Sequence, residues 1–160
     1  KDAIVATMAL CEAAAYYRTK NMTLWDAMVA LYEELGYYKD GIFSLTMKGL
    51  DGKEKIGRIM DTLRKNPPKT IGAYTVEASR DYLQDVVCDN RTGEKKETGL
   101  PKSNVLYYDL NENSWCCVRP SGTEPKIKIY YGVKGTSMED ADAKMAAIEK
   151  ALKELVESIS

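Results

Sequence analysis

An α+β fold is the class this sequence predicts: a small, largely antiparallel sheet with flanking helices, preceded by a helical hairpin. Three observations carry it. Apolar residues recur at helical spacing through the first 37 residues and then change to strict alternation. The later alternating stretches are joined by short turns, as antiparallel neighbours require. Two more helical stripes lie within and after the alternating region.

The elements follow in order. Residues 3–19 are Ala-rich, with Ile4, Met8, Cys11 and Ala15 one turn apart, and read as a helix. Thr23-x-x-Asp26 is a capping box that opens a second helix carrying Leu24, Met28, Leu31 and Leu35, with Gly36 placed to end it. The few polar residues between them predict an antiparallel hairpin. Ile42–Lys48 alternates, with Phe43, Leu45 and Met47 on one face, and reads as a strand. Asp51-x-x-Glu54 starts a helix bearing Ile56, Ile59, Met60 and Leu63, which Asn66-Pro67-Pro68 stops. Tyr74–Ala78 is a second strand. Residues 80–103 read as polar loop, with a turn at Asn90–Gly93. Val105–Leu110 and Trp115–Val118 are strands about a turn at Asn111–Asn113. A loop at Arg119–Pro125 follows, then the clearest alternation in the chain, at Ile127, Ile129, Tyr131 and Val133. Thr136 or Ser137 caps a last helix with Met145, Ile148, Leu152, Leu155 and Ile159 on one stripe. The division is residues 1–37 and 38–160, with Tyr37–Gly41 expected to be a flexible boundary.

Composition narrows the chemistry. With 23 Lys and Arg against 24 Asp and Glu, the net charge of −1 gives no general attraction to nucleic acid or anionic lipid, so any anion site must be local. There is no histidine, which excludes it as general base, phosphoacceptor or metal ligand in these residues. Cys11, Cys88, Cys116 and Cys117 form no C-x-x-C pair and read as reduced structural thiols, in keeping with a cytoplasmic protein. No apolar run approaches the roughly 20 residues of a membrane span. The chain opens on Lys1 rather than Met and runs straight into a helical pattern, so it is expected to be an internal segment of something longer.

The stretch with the most chemistry is Arg119-Pro120-Ser121-Gly122-Thr123-Glu124-Pro125-Lys126. Arg offers a planar fork for two phosphate oxygens. Ser and Thr hydroxyls donate to others. Gly122 lets a backbone N–H approach an anion closely and tolerates positive φ. Lys126 and Lys128 share the strand face opposite Ile127 and Ile129, so three cations converge near the turn. The same residues are also ordinary turn formers, and the residues by themselves leave both readings open. Paired tyrosines such as Tyr107-Tyr108 and Tyr130-Tyr131 suit the amphipathic edge of a core better than a base-stacking platform, given the charge. Asp81, Asp85 and Asp89 match no calcium-loop spacing, and no metal ligand set is expected in this chain.

Followed by the Ile-x-Ile-Tyr-Tyr strand, the Arg119 motif resembles the C-terminal domain of the phosphohexomutases, the phosphoglucomutase/phosphomannomutase group. Lys1-Asp2-Ala3 before an Ala-rich helix, Glu33-Glu34-Leu35-Gly36-Tyr37-Tyr38 and Arg64-Lys65-Asn66-Pro67-Pro68 extend the resemblance across the chain. It implies that residues 1–37 are the terminal helices of the third, sugar-binding domain. Residues 38–160 would be the fourth, a domain similar in shape to the TATA-binding-protein class, a likeness of fold that lends nothing to DNA binding. It implies an enzyme interconverting hexose 1-phosphate and hexose 6-phosphate. The phosphorylated serine and Mg²⁺ loop lie in earlier domains, and glucose 1,6-bisphosphate is intermediate and activator. The implied partners are a phosphosugar and the remaining domains of the same polypeptide, with neither nucleic acid nor membrane. Arg119, Ser121, Gly122 and Thr123 would hold the phosphate that is not reacting, with Lys1, Lys126 and Lys128 as possible additions and no catalytic residue in this stretch. The fragment alone is expected to be inactive. Alternatives are a mutase for a pentose or amino-sugar phosphate, and a non-catalytic nucleic-acid-binding module.

Overall fold

A computed structural model of the chain describes residues 2–47 and 51–159. The chain divides into two compact units, Lys1–Tyr37 and Tyr38–Ser160.

The first unit is a pair of helices, α1 (Ala3–Arg18) and α2 (Leu24–Leu35). Asp2 caps α1 by accepting from the N–H groups of Ile4 and Val5 at 3.1 and 3.0 Å. The Thr23 capping box of α2 forms in both directions, and its backbone N–H holds the Asp26 carboxyl below the usual carboxylate range. Gly36 ends α2 at φ 108°, a conformation that side-chain-bearing residues rarely adopt. Only Ala27 is buried among this unit's described residues, while Ile4, Met8, Trp25 and Leu35 are each more than half exposed.

The second unit is an antiparallel sheet with two helices on one face. Its elements are β1 (Tyr37–Thr46), α3 (Gly52–Lys65), β2 (Thr70–Ile71), β3 (Tyr74–Asp81), β4 (Val86–Asp89), β5 (Lys95–Lys96), β6 (Leu106–Leu110), β7 (Ser114–Pro120), β8 (Lys126–Gly135) and α4 (Met138–Glu157). The sheet order is β1-β8-β7-β6-β3-β4-β5, with β2 paired to β3 off that path. Alternation does the sorting. Cys116, Val118, Ile127, Ile129, Tyr108 and Tyr131 point into the core against Ile59 and Leu63 of α3 and Ile148 and Leu152 of α4. The Tyr131 hydroxyl donates to Glu149, which Lys153 also reaches, so α4 is pinned to the sheet by a polar link as well as an apolar one. On the open face the Trp115 ring lies across its neighbour on β8, Gly132, where a Cβ would sit 2.3 Å from the indole nitrogen. Ser137 caps α4 through its hydroxyl.

Four expectations change. Tyr37–Gly41 forms the first half of β1, because the alternation that begins at Ile42 already runs from Tyr37, and the division between the two units falls at its start. Residues 80–103 are not all loop: β3 extends to Asp81, and β4 and β5 add two short strands. Their backbone pairing supplies the order that the polar side chains do not advertise. Asp51 precedes α3 without a side-chain cap bond. Arg119 and Pro120 belong to β7 rather than to the loop.

Candidate functional site

Strands β7 and β8 form a hairpin whose connecting turn carries the Ser-Gly-Thr-Glu run. Ladder pairing sets Arg119 directly across from Lys128, and strand alternation turns both side chains to the face away from the helices. Neither has an ion-pair or hydrogen-bond partner among the described residues. Two cations are therefore held side by side, with no direct ion pair among the described residues. Cys117, two residues before Arg119 on the same face, has its thiol pushed up by burial, an effect the guanidinium partly opposes.

The turn closes on itself with short bonds. Ser121 N–H donates to the Lys126 carbonyl at 2.8 Å, and Lys126 N–H to the Glu124 carbonyl at 2.8 Å. Glu124 N–H donates to Ser121 Oγ at 3.3 Å. Met47 N–H donates to the Pro125 carbonyl at 2.9 Å, tying the turn to the chain just after β1. That brace was unreadable in the sequence, since it depends on β1 lying beside β8. These bonds leave a set of donors free: the Gly122 and Thr123 backbone N–H groups and the hydroxyl protons of Ser121 and Thr123, none of which has a partner among the described residues. The positive φ allowed for at Gly122 is not used, and a Cβ built there would meet nothing within 4 Å. Neither backbone conformation nor packing requires glycine at that position.

The third cation behaves differently. Lys126 pairs with Glu124 within the turn. Its hydrogen bond is the main reason the Glu124 carboxyl lies below the ordinary carboxylate range, and Lys128 adds to the effect. Lys1 lies outside the described residues. The three aspartates of the 80s are engaged locally. Asp81 accepts from Arg64, Asp85 from Thr98, and Asp89 from the N–H groups of Arg91 and Thr92. Among the described residues no group of three His, Cys, Asp or Glu side chains could hold a metal ion. No described helix is long and apolar enough to cross a membrane. The tyrosine pairs split across the sheet. Tyr108 and Tyr131 are core residues, while Tyr107 stacks on Trp115 at 5.5 Å with 6° between the planes, under the Arg80 guanidinium.

Comparison with known proteins bears on this hairpin directly. A family model described as phosphoglucomutase/phosphomannomutase, C-terminal domain, matches residues 72–150, which include Arg119 to Lys128. A phosphoglucomutase of Staphylococcus aureus (strain bovine RF122 / ET3-1) is 36% identical over 148 residues, 92% of this chain and 27% of that protein. The phosphoglucomutase of strain USA300 is 35% identical over the same shares. The chain thus spans about a quarter of the length of these relatives. A crystal structure of parafusin, a phosphoglucomutase from Paramecium in its open form, superposes with a TM-score of 0.56 over 98% of this chain and 27% of that one. At 15% identity it is a likeness of fold.

Proposed function

We propose, from the premise that this chain belongs to the phosphoglucomutase/phosphomannomutase family, that its β7–β8 hairpin clamps the non-reacting phosphate of a hexose phosphate in a mutase. The full protein would interconvert hexose 1-phosphate and hexose 6-phosphate. The observation that carries the reading is the set of free donors about one turn: the Arg119 fork, Lys128, two hydroxyls and two backbone N–H groups. A phosphate dianion is the ligand whose oxygens can take them all. Gly122 supports the same reading, since the approach of a ligand to its N–H is a reason for glycine that the protein's own packing does not supply.

The chemistry suits a mutase. Phosphoryl transfer is largely positioning and charge stabilisation. A phosphate at position 1 and a phosphate at position 6 must be gripped in turn by one site while the other end of the sugar reacts. A clamp that contacts phosphate and not the ring serves both orientations. The Mg²⁺ that the family implies would supply charge neutralisation at the transferring phosphoryl group, and this chain's described residues offer no place for it. The reacting serine likewise belongs elsewhere in the longer protein. On this reading the chain alone binds phosphosugar and turns none over. Glucose is proposed over pentose or amino sugars because the relatives are phosphoglucomutases. The cytoplasm is the proposed compartment, in keeping with four free cysteines.

The test is an amide NMR titration of the chain with glucose 1,6-bisphosphate. Shifts localised at Ser121, Gly122 and Thr123 and absent in Arg119→Ala support the clamp. Saturable binding that leaves these amides unmoved overturns it. A turnover assay of the pure chain on glucose 1-phosphate should read zero.

A further inference from the structure

The sheet is wider than the helices that cover it, and a cavity lies where the cover ends. One row of cross-strand neighbours on the helix side runs Tyr131, Cys116, Tyr108, Ser79, Cys88, Lys95. Its first three members are buried in the core, and the last three are not. Between them and the end of α3 is a space of about 240 Å³, lined on one side by Leu63 to Lys65 and Pro67 and on the other by β3 and β4. At ~30 Å³ per water, that is room for roughly eight waters or one small organic molecule.

The lining has a definite chemistry. Leu63, Leu106 and Val86 give an apolar wall, with Ser79, Gln84 and Asn90 as polar positions beside it. At its back is the Tyr108 phenol, on a residue 1% exposed, whose one hydrogen bond is a long 3.4 Å donation to the Leu63 carbonyl. Its oxygen lone pairs face no donor among the described residues. Arg64 is already partnered, giving Nε to Asp81 at 2.8 Å and Nη2 to Asn104 at 2.7 Å, with Asp61 3.6 Å from Nη1. Lys65 and Lys95, by contrast, have no ionic partner among the described residues and stand on opposite sides of the opening. The cavity therefore combines an apolar wall, a buried acceptor and an uncompensated positive rim.

We propose that this cavity is a second ligand site, separate from the Arg119 turn, for a small organic anion with a flat apolar body. The body lies against Leu63, Leu106 and Val86, a donor group on the ligand satisfies the Tyr108 oxygen, and the charged group meets Lys65 and Lys95.

The test is a titration of the whole chain with 4-hydroxybenzoate, followed by amide NMR, with 4-hydroxybenzamide as the uncharged control. The expected result is saturable shifts at Ser79, Cys88 and Lys95, with affinity about tenfold weaker for the amide and about tenfold weaker in Lys65→Gln/Lys95→Gln. Both lysines are exposed, and an unchanged melting temperature in the double variant confirms its fold. Tyr108→Phe, which keeps the ring and removes the acceptor, should weaken binding further. Absence of saturable shifts at these amides, equal affinity for the amide, or shifts confined to Gly122 and Thr123 would each overturn the proposal.

Discussion

Arginine is used in two opposite ways in the sheet unit. In the wing of the sheet about β3, Arg64 of α3 is held by Asp81 and Asn104, and Arg80 of β3 gives Nε and Nη2 to Asp109 at 2.9 and 2.7 Å while covering the Tyr107 ring. At the β7–β8 hairpin, Arg119 is exposed and has no such partner. The same side chain is an internal strut in one region and a free receptor in the other. Partnering decides which: a guanidinium whose charge is neutralised within the molecule has little left to offer a ligand.

The largest effect expected from disturbing this contrast is on stability, in the wing. Asp81 and Arg64 side chains are 13% and 11% exposed, so Asp81→Ala leaves a nearly buried guanidinium with only the exposed Asp61, 3.6 Å from Nη1, as counter-charge. The expected loss is about 3 kcal/mol in chemical denaturation. Next comes Arg119→Ala, whose effect should fall on binding rather than folding. Removing the fork should weaken glucose 1,6-bisphosphate by roughly 30-fold, near 2 kcal/mol, with unfolding free energy changed by less than about 0.5 kcal/mol. A large stability loss in Arg119→Ala would erase the distinction. Arg80→Ala should lie between the two kinds, costing about 1 kcal/mol of stability through the lost Asp109 pair and Tyr107 stack, both part-exposed, and leaving phosphosugar affinity unchanged. The smallest effect is alkaline. Burial pushes the Tyr107 phenol up to about 12, with Asp109 adding and Arg80 opposing. A phenol that holds its proton more tightly in the folded state contributes stability that is complete below pH 10 and is lost as pH rises through about 12. Tyr107→Phe should flatten part of that decline in thermal melts taken across the same range.

What the sequence made legible follows from what side chains encode. The helical stripes, the capping box at Thr23 and Asp26 and the alternation of Ile127, Ile129 and Tyr131 depend on local period, and each appears in the fold. β4 and β5 depend on backbone pairing between polar segments, which leaves little mark on residue type. At the hairpin, the chemistry of Arg119, Ser121, Gly122 and Thr123 could be read from composition. That Arg119 sits in the ladder across from Lys128, and that Lys126 is occupied by Glu124 while Lys128 is free, are facts of register and turn geometry. The Asn111–Asn113 turn shows the same limit. Its position was evident, but the left-handed backbone of Glu112 and Asn113, φ 57° and 54°, follows from the twist the two strands impose.

The rung that joins Arg119 to Lys128 also fixes how this segment can change length. One residue inserted into β7 ahead of Arg119 would turn its side chain toward the helices and push Val118 out to water, inverting each later position of the strand at once. One residue added between Ser121 and Glu124 would leave the strand frame intact and rearrange only the turn, its Glu124 to Ser121 bond included. Insertions and deletions are therefore survivable in four positions and ruinous in the seven before them. Anyone grafting this turn onto another scaffold must transplant the pairing frame along with it.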